Sequence, residues 1–474
     1  MVSAYNFKSP DEGKFSLAAN AFLPSHCVIP LYGEILIGEG EQVKEGQVIA
    51  KTKDIYIHAP VSGVVEKIEN GVFSSGKKGL CAKIALKGSL VFTGKKAFET
   101  GWQSYEKETL TYKLKEAGIL STFSRKISLY SRIKNLKKAN PILVLRLFDD
   151  DPSVLTERFV SKNYARQVIF GAMILAKASG SNVLVLAQDK YSKIQVDEFL
   201  PKNQISEKIE DSEISENQIL ENRNLEKFEN SGNSEKSENL EKQFFLSQMK
   251  VFQVEIDTRK YPCGSEHCLV SAVKKNLSDE SLKSLGKNDF FVDSVTAFHA
   301  YNAIVLGKPE INALVHVTGD CLNSAAVMNV KLGTSLRDVA EMCGGFKRKL
   351  SRIVINGTLK GVSVKNLDIP VVKSMKSIEF VPAKQVKNPC SETCVRCGNC
   401  RKICPAELLP GNLYRIAHLD GKSGGLLDSK TIADSAVLCM ECGLCNSVCP
   451  SRLPLQQTIS LLKEKINDDE HKNQ

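Results

Sequence analysis

Two cysteine-rich segments near the end of the sequence contain the residues best suited to chemistry. CVRCGNCRKICP and CMECGLCNSVCP share one spacing, three cysteines at intervals of three followed by a fourth cysteine and a proline. Such a loop can wrap three corners of an iron–sulfur cubane, and the proline turns the chain away from it. The segments therefore predict two [4Fe–4S] clusters, which accept and release electrons one at a time.

The fourth thiolate of each cluster must come from outside its three-cysteine loop. In two-cluster proteins it comes from the other repeat. This rule gives two crossed ligand sets: Cys394, Cys397, Cys400 and Cys449 for the first cluster, and Cys439, Cys442, Cys445 and Cys404 for the second. Crossing of this kind holds the two clusters close together as a short electron relay.

Structural zinc is the alternative interpretation, because zinc also binds four thiolates in C-x-x-C pairs. Two complete repeats with the same third interval and the same proline favour clusters. Cys390 lies nearby and is interpreted as a bystander thiol, with a replacement ligand as the alternative. The remaining cysteines lack ligand spacing and are expected to be small core residues: Cys27, Cys81, Cys263, Cys268, Cys321 and Cys343.

The segment between the repeats has room for two helices, at about 406–418 and 430–438. This arrangement predicts a helical two-cluster ferredoxin domain at 388–460. A flexible tail is expected at 461–474.

Short β-rich runs alternate with glycine turns near the start of the chain, which predicts small β-hairpins. EGQVIA and HAPVSGVV resemble the barrel-sandwich fold of biotinyl and lipoyl carrier domains, here assigned to 1–95. Thr52 stands where a carrier lysine would fall, between Lys51 and Lys53. A structural or docking module is therefore favoured over a carrier, and His58 is expected to be a packed hairpin residue.

Strands and helices alternate from 100 to 275, which predicts an α/β flavoprotein-like layer with parallel strands. The sequence suggests a helix (KETLTYKLKEAGI), a strand (PILVLRLF), one long helix at 153–178 and a second strand (NVLVLA). An insertion at 201–243 is almost entirely Glu, Asn, Ser and Lys. It cannot bury enough apolar surface to order itself, and a solvated loop is expected there.

A third unit is expected at 289–380, with a helix at about 296–306, a strand at 313–318 and the phrase VKLGTSLRDVAEMCGGF. A strand, a glycine turn and an amphipathic helix ending in Gly-Gly resemble a soluble-ligand-binding β-grasp domain. The Lys-Arg-Pro-Gly turn of that family reads Leu-Asn-Ser-Ala here, so no ligand is assigned to it. The predicted fold class is thus multidomain α+β and α/β.

Composition limits the other functions. The chain has 474 residues, 42% hydrophobic and 25% charged, which suits three or more globular domains. It has neither a signal-like start nor an apolar run of spanning length, so it is expected in the cytoplasm. The net charge of +10 is diffuse and fits anionic lipid or an acidic redox partner better than nucleic acid.

The order of these units resembles the C subunit of the Rnf electron-transport complex over nearly the whole chain. The second cysteine repeat with its SRLPLQQTI continuation and the phrase YPCGSE carry the resemblance. It implies a peripheral subunit on the cytoplasmic face of the cell membrane, whose membrane contact runs through other subunits. Such complexes exchange electrons between NADH and ferredoxin and couple them to Na⁺ or H⁺ pumping. The chain alone is not assigned an activity.

One departure from this family concerns its flavin and NADH. A Gly-x-Gly-Gly-Ala-Gly-Phe-Pro-Thr loop that cradles them is replaced here by ILSTFSRKIS, and only Gly118 remains of its glycines. Two other loops of that pocket are also altered, reading RLFDDDPSV and NGTLKG. We therefore expect loss of tight FMN and NADH binding. The alternative is that Arg125, with Lys126 and the YPCGSE phrase, still holds a phosphate by charge. The remnant candidates are Gly118, Arg125, Tyr261, Gly264 and Glu266.

Two further classes stay open from the sequence. One is an iron–sulfur subunit of a soluble dehydrogenase or disulfide reductase, although no Cys-Cys-Gly module follows Cys449. The other is a non-redox adaptor built on the barrel-sandwich and β-grasp units, which the cysteine repeats disfavour. No catalytic triad, zinc-protease motif or phosphate loop is present.

Overall fold

The computed structural model describes residues 5–6, 16–73, 78–87, 101–124, 126–194, 249–385, 393–418 and 429–472. The predicted insertion at 201–243, Arg125 and Cys390 lie outside the described residues. Two strands open the chain, β1 (Tyr5–Asn6) and β2 (Ser16–Asn20), and both pair with strands far along the sequence.

The barrel-sandwich prediction is confirmed by two small antiparallel sheets, ordered β3-β9-β8-β5 and β4-β6-β7. Their strands are β3 (His26–Pro30), β4 (Glu34–Ile35), β5 (Gln42–Val43), β6 (Val48–Lys51), β7 (Tyr56–His58), β8 (Gly63–Val72) and β9 (Lys78–Leu86). The turn between β6 and β7 is closed by the Thr52 hydroxyl, which accepts from the Ile55 amide at 3.0 Å. That turn touches the next domain, because Ser128 Oγ donates to the Asp54 carbonyl at 2.5 Å.

The α/β layer is a four-stranded parallel sheet, ordered β14-β13-β12-β16. The strands of this region are β10 (Leu120–Ser121), β11 (Ile127–Ser128), β12 (Ile142–Arg146), β13 (Val183–Asp189), β14 (Lys250–Ile256), β15 (Lys260–Tyr261) and β16 (Phe290–Asp293). β10 pairs with β11, and β15 pairs with β1. Its helices are α1 (Lys107–Glu116), α2 (Leu129–Lys134), α3 (Thr156–Asn163), α4 (Ala165–Ser179), α5 (Glu266–Asn276) and α6 (Ser294–Val305). β12 is buried at every position, as expected for a central parallel strand.

The single helix predicted at 153–178 is divided into α3 and α4. Tyr164 lies between them with φ −127° and ψ 35°, outside the helical region, and its ring packs 4.9 Å from that of Phe298. α4 then packs closely on α6, because a Cβ at Gly171 would overlap the Ala297 carbonyl. The aromatic contact and this close approach both fix the position of α4 on α6.

The structure moves the start of the third unit. β16 pairs with β12 in parallel and α6 lies on α4, so the segment from 290 to 305 belongs to the α/β layer and not to the β-grasp unit predicted from 289. The physical reason is long-range strand pairing, since β16 is itself a fully buried strand beside β12.

A six-stranded mixed sheet follows, ordered β2-β18-β17-β21-β19-β20. Its later strands are β17 (Asn312–Thr318), β18 (Ala326–Lys331), β19 (Leu350–Ile355), β20 (Val362–Val364) and β21 (Ser377–Pro382), with helix α7 (Leu336–Met342) beside them. β2 joins this sheet next to β18, so the first residues of the predicted 1–95 unit contribute to it. One hydrophobic core spans this sheet and the barrel-sandwich.

The last domain is helical, as predicted. Its helices are α8 (Asn399–Ile403), α9 (Pro410–His418), α10 (Ser429–Asp434), α11 (Leu444–Ser447) and α12 (Leu455–Lys472), with a 3₁₀ turn at Ser435–Leu438. α12 continues through most of the segment expected to be a flexible tail at 461–474. Ile459, Leu462 and Ile466 recur at helical spacing and pack with Leu413 and Ala436, which explains why the helix extends.

None of the helices in the described part of the chain has the length and apolar character needed to cross a bilayer.

Candidate metal centres

The two cysteine repeats have matching backbones. Each cysteine of the second repeat follows its counterpart by 45 residues, and the same interval relates their unusual φ angles. Positive φ occurs at Arg396, Gly398 and Glu407 in the first repeat, and at Glu441, Gly443 and Arg452 in the second. Four of these are not glycine, and such residues rarely adopt positive φ. Both loops therefore adopt the same constrained shape around their cysteines.

Four cysteines from both repeats surround a cavity beside the first loop. Its cysteines are Cys394, Cys397, Cys400 and Cys449, the set predicted for the first cluster. About 320 Å³ there is free of protein atoms, open solvent included. Gly411 borders the cavity, and a Cβ on it would lie 3.5 Å from Cys400 Sγ and 3.6 Å from Cys394 Sγ. A glycine at this point leaves space beside the sulfurs.

The second loop has a cavity of the same kind. Its cysteines are Cys404, Cys439, Cys442 and Cys445, the set predicted for the second cluster, and about 360 Å³ is free of protein atoms, open solvent included. Backbone amides donate to two of these sulfurs at 3.4 Å, Leu408 to Cys404 and Glu441 to Cys439. Amide donors aimed at sulfur stabilise thiolate ligands.

The residues present fit iron–sulfur clusters. Burial raises the pKa of the Cys439 thiol to about 11, and burial also raises the pKa of Cys445, where Cys442 and Cys439 add to the effect. Thiolates in such places need a nearby positive charge, which a metal group provides. Among the described residues, no three His, Cys, Asp or Glu side chains converge as they would on one metal ion. The four sulfurs of each set instead surround a cavity.

The two centres differ in exposure. Cys397 in the first set is exposed, whereas Cys442 and Cys445 in the second set are buried. The second loop packs against the rest of the chain: Tyr261 Oη donates to the Cys442 carbonyl at 2.6 Å, and a Cβ at Gly443 would overlap the Leu359 carbonyl. The second centre therefore lies against the α/β layer and the mixed-sheet domain, and the first lies toward solvent.

The four predicted nucleotide remnants that the structure describes do not form one open site. Gly118 has φ 69°, and a Cβ on it would overlap the Tyr56 carbonyl of the barrel-sandwich. Lys373 donates to the Gly118 carbonyl. This glycine therefore allows the chain to pass close to β7. Neighbouring His58 is buried, as predicted, and burial lowers its pKa to about 3, with nearby Lys373 adding to the effect.

The YPCGSE residues are also occupied by contacts within the chain. Arg146 Nη1 donates to the Gly264 carbonyl at 2.7 Å, and a Cβ on Gly264 would crowd Asp150. Glu266 accepts from Arg132 at 3.1 Å and from Ser124 at 3.2 Å. Because Tyr261 also donates a hydrogen bond to the Cys442 carbonyl, this segment links the α/β layer to the second loop.

Three aspartates follow β12, at the edge where open α/β sheets bind ligands. Asp149 accepts from the backbone amides of Glu157 and Arg158 at the start of α3, at 2.8 and 3.1 Å. Asp151 accepts from the amides of residues 359 and 360 at 2.9 and 3.0 Å, which fastens the NGTLKG turn. Lys360 forms an ion pair with Asp150. Burial opposes the charge of Asp150, but Lys360 and Arg146 hold its pKa below the ordinary value.

Lys376 adds a second buried charge cluster at this edge. Its ammonium lies 2.6 Å from Asp293 and 2.5 Å from Glu157. Burial opposes ionisation of Asp293, yet Lys376 and Arg146 keep the pKa of this carboxyl well below its usual range. Burial raises the pKa of Glu157 to about 7, and neighbouring Asp293 adds to that rise. The mixed sheet supplies the lysine and the α/β layer supplies the carboxylates, so this cluster also joins two domains.

A hairpin occupies the segment in which the sequence resemblance implied a glycine-rich loop. β10 and β11 pair through Leu120–Ser128 and Ser121–Ile127, and the connecting turn buries Phe123. The Phe123 ring lies 5.7 Å from that of Phe291, and the Arg146 guanidinium lies 4.4 Å from its centre. Phe123 and Arg146 thus lie where a phosphate site would need exposed glycine amides.

The described residues at this sheet edge do not fit an FMN or NADH phosphate. A phosphate site needs free backbone amides or unpaired cations. Here Lys360 and Lys376 are neutralised by carboxylates of the chain itself, and Arg146 donates to Gly264 and lies near Asp150 at 3.8 Å. Burial lowers the pKa of Lys126, and nearby Lys376 adds to this effect.

Sequence reasoning missed Phe123, Lys360, Lys376 and Gly411. Aspartates directly after a buried parallel strand were a usable signal, because they mark the carboxyl edge of the sheet and require cations near them. Lys376 had no such signal, since the mixed sheet brings it there from far along the chain.

Comparison with known proteins agrees with this architecture. Residues 391–453 match the family model described as a 4Fe-4S dicluster domain. Residues 13–88 match the RnfC barrel sandwich hybrid domain. The fold and the cysteine-lined cavities thus define an iron–sulfur protein with an N-terminal barrel-sandwich domain.

Curated relatives make the likeness more specific. Over 426 residues the chain is 26% identical to the C subunit of the ion-translocating oxidoreductase complex of Methanosarcina acetivorans, covering 84% of this chain and 83% of that one. It is 24% identical to the subunit of the same name in Vibrio cholerae, covering 83% of this chain but 47% of that longer protein. The chain is therefore similar over most of its length to the C subunit of Rnf-type complexes, which confirms the resemblance inferred from sequence.

Two further likenesses are more limited. The C subunit of the proton-translocating ferredoxin:NAD(+) oxidoreductase complex of Clostridium ljungdahlii is 27% identical, over 34% of this chain and 35% of that one. Among solved structures, a chain of an NAD⁺-reducing [NiFe]-hydrogenase in the H2-reduced state matches with a TM-score of 0.48 and 12% identity, covering 78% of this chain and 64% of that chain.

Proposed function

We propose that this chain is a peripheral electron-transfer subunit of a membrane-bound, ion-translocating Rnf-type oxidoreductase complex. The observation that carries the proposal is that each cavity is lined by one crossed set of four cysteines and, within the described part of the chain, by no other cysteine. The names of the relatives support the complex. Other subunits of that complex, on the cytoplasmic face of the membrane, are the expected partners.

The ligands in this proposal are the crossed sets. Cys394, Cys397, Cys400 and Cys449 hold one [4Fe–4S] cluster, and Cys439, Cys442, Cys445 and Cys404 hold the other. The bound clusters supply reversible one-electron chemistry. The chain's own residues orient the thiolates through amide donors, and they bury the second centre against Tyr261 and Leu359. Exposure of Cys397 leaves the first centre accessible to a partner.

The second part of the proposal is that the chain does not itself oxidise NADH. The buried ion pairs and the Phe123 hairpin support this, because they occupy the sheet edge with side chains of the chain. Electrons must then reach the chain from another redox protein, such as a ferredoxin, or leave by that route.

The test is the cofactor content of anaerobically purified protein, followed by titration with NADH. We expect about eight irons and eight acid-labile sulfides per chain, no stoichiometric flavin, and no bleaching of the cluster absorbance by NADH. Dithionite serves as the positive control for bleaching.

Two results would count against the proposal in different ways. Zinc in place of iron would remove the electron-transfer function and restore the structural alternative. Stoichiometric FMN with NADH-dependent bleaching would leave electron transfer intact and make this chain the NADH-oxidising subunit.

A further inference from the structure

The two cysteine loops share one backbone but carry opposite charge. The described first loop, 393–406, contains Arg396, Arg401 and Lys402 and no acidic residue. The matching segment of the second repeat, 438–451, contains Glu441 as its one charged residue. Since the backbone conformations match, this difference lies in the side chains alone.

The contrast in charge between the two centres increases when the residues next to the fourth cysteine of each crossed set are included. Arg396 lines the first cavity, and Arg452 lies between two other residues that line it, Ser451 and Leu453. At the matching positions of the second cavity stand two glutamates, Glu441 beside Met440 and Glu407 between Ala406 and Leu408. Equivalent positions are therefore basic around the first centre and acidic around the second.

The basic side chains lie on the segments that supply cysteines to the exposed centre. Arg396, Arg401, Lys402 and Arg452 are all exposed, as is Cys397. Val395 lies among them with 60% of its surface exposed. An apolar residue within a charged rim is typical of transient interfaces in which charge steers the encounter. We use the name first-centre face for six residues: Val395, Arg396, Cys397, Arg401, Lys402 and Arg452.

We propose that the first-centre face docks a small acidic one-electron redox protein, such as a [4Fe–4S] ferredoxin. The inference rests on the proposed electron-transfer function and names the partner of that centre. In each encounter one electron passes between the partner's metal centre and this chain, so that one protein is oxidised and the other reduced by one electron, with no proton or bond change. Charge complementarity selects an acidic partner, and Cys397 provides the exposed edge.

The experiment measures association between the full-length, anaerobically purified chain and a fluorescently labelled small acidic bacterial ferredoxin. The test variant is Arg396→Glu with Arg452→Glu. Each change installs the side chain that the same backbone conformation already carries at Glu441 or Glu407, so the new residue is compatible with the local φ angle. The control is Lys44→Glu with Lys67→Glu, which alters two exposed lysines of the barrel-sandwich and changes the net charge equally.

We expect the test variant to bind the ferredoxin at least about tenfold more weakly than the parent in about 50 mM salt. The difference should shrink in about 500 mM salt, because screening weakens exposed charges. The control variant should bind within about twofold of the parent. Stopped-flow rates of cluster reduction by the ferredoxin should fall in the same order.

Three results would overturn the proposal. Equal weakening by the control variant would indicate an effect of net charge alone, and unchanged ferredoxin binding by the test variant would exclude the docking site. If the test variant lost binding only to phosphatidylglycerol-containing vesicles, the face would be a lipid contact. Iron content and the electron paramagnetic resonance spectrum are recorded for every variant. Missing clusters in the parent would refute the proposed function, whereas intact clusters with unchanged ferredoxin affinity would refute the docking site alone.

Discussion

Tyr261 Oη donates a hydrogen bond of 2.6 Å to the carbonyl oxygen of Cys442, joining the α/β layer to the second cysteine loop. The tyrosine is 4% exposed. Burial raises its pKa, and neighbouring Asp150 and Asp151 add to the rise, so the hydroxyl keeps its proton and remains a donor. The hydrogen bond therefore connects Cys442, a candidate cluster ligand of the second loop, to the α/β layer, which is a different domain.

Replacing Tyr261 with Phe tests this link. The Cys442 carbonyl loses a buried donor, which should cost about 1–3 kcal/mol of stability. Iron content should remain at the parent level, and the midpoint potential of one cluster should become more negative, because one dipole that favours the reduced state is removed. Redox titration followed by electron paramagnetic resonance measures the shift.

Tyr164→Phe provides the matched control, since Tyr164 packs on Phe298 within the α/β layer. It should leave both cluster potentials unchanged. Equal shifts in both variants would show that the Tyr261 hydrogen bond has no particular effect on the second centre.

Gly443 and Gly398 form a natural pair for a packing test. Both have nearly the same φ, 74° and 76°, so alanine is strained equally at each. A Cβ at Gly443 would overlap the Leu359 carbonyl, while one at Gly398 would meet nothing within 4 Å. Gly398→Ala should therefore cost about 1–2 kcal/mol from backbone strain alone.

Gly443→Ala should cost clearly more than Gly398→Ala, because the second loop must also move away from Leu359. Thermal unfolding of the iron-loaded protein, followed by loss of cluster absorbance, compares the two. Equal midpoints would mean that the NGTLKG turn does not support the second loop.

The crossed ligand sets predict a specific result for paired cysteine variants. Cys404→Ala with Cys442→Ala removes two ligands of one cluster, so about four irons should remain. Cys404→Ala with Cys397→Ala removes one ligand from each cluster and should disturb both. Iron analysis and electron paramagnetic resonance on both double variants would reveal the reverse pattern if each repeat held its own cluster.

Glu157 predicts a pH-dependent stability. Burial raises the pKa of this carboxyl to about 7, above the unfolded value near 4.5. Its contribution to stability is therefore fully present below pH 4.5 and is lost as the pH rises through 7. Glu157→Gln should match the parent near pH 5 and exceed it near pH 8 by at most about 3 kcal/mol.

Circular dichroism melting at both pH values measures this difference. The depressed pKa of Asp293 acts in another range, since its contribution is lost only as the pH falls below about 4. Asp293→Asn should therefore destabilise the protein at both pH 5 and pH 8. A Glu157→Gln variant that is less stable than the parent at pH 8 would contradict the assignment.

Local patterns were sufficient for much of this protein. The two sets predicted from cysteine spacing line the two cavities, and their assignment as cluster ligands stays a prediction. A chain with three thiols at intervals of three can fold them around one point. Alternation of strands and helices predicted the parallel sheet, and glycine turns between β-rich runs predicted the barrel-sandwich. These features depend on residues close in sequence, or on exact repeats of a short motif.

Other features depended on contacts between distant residues. β16 joined the parallel sheet because a buried edge beside β12 was available, and β2 joined the mixed sheet next to β18. Lys376 reached Asp293 and Glu157 across a domain boundary. No local pattern encodes such pairings, since their free energy comes from burial and charge compensation that exist only after folding.

The sequence by itself therefore determined the kind of chemistry, through eight cysteines in two repeats. Only the tertiary structure decided which centre is exposed and that side chains of the chain occupy the carboxyl edge of the sheet. Thiolate spacing is a property of one loop, whereas exposure and occupancy result from how the loops of several domains pack together.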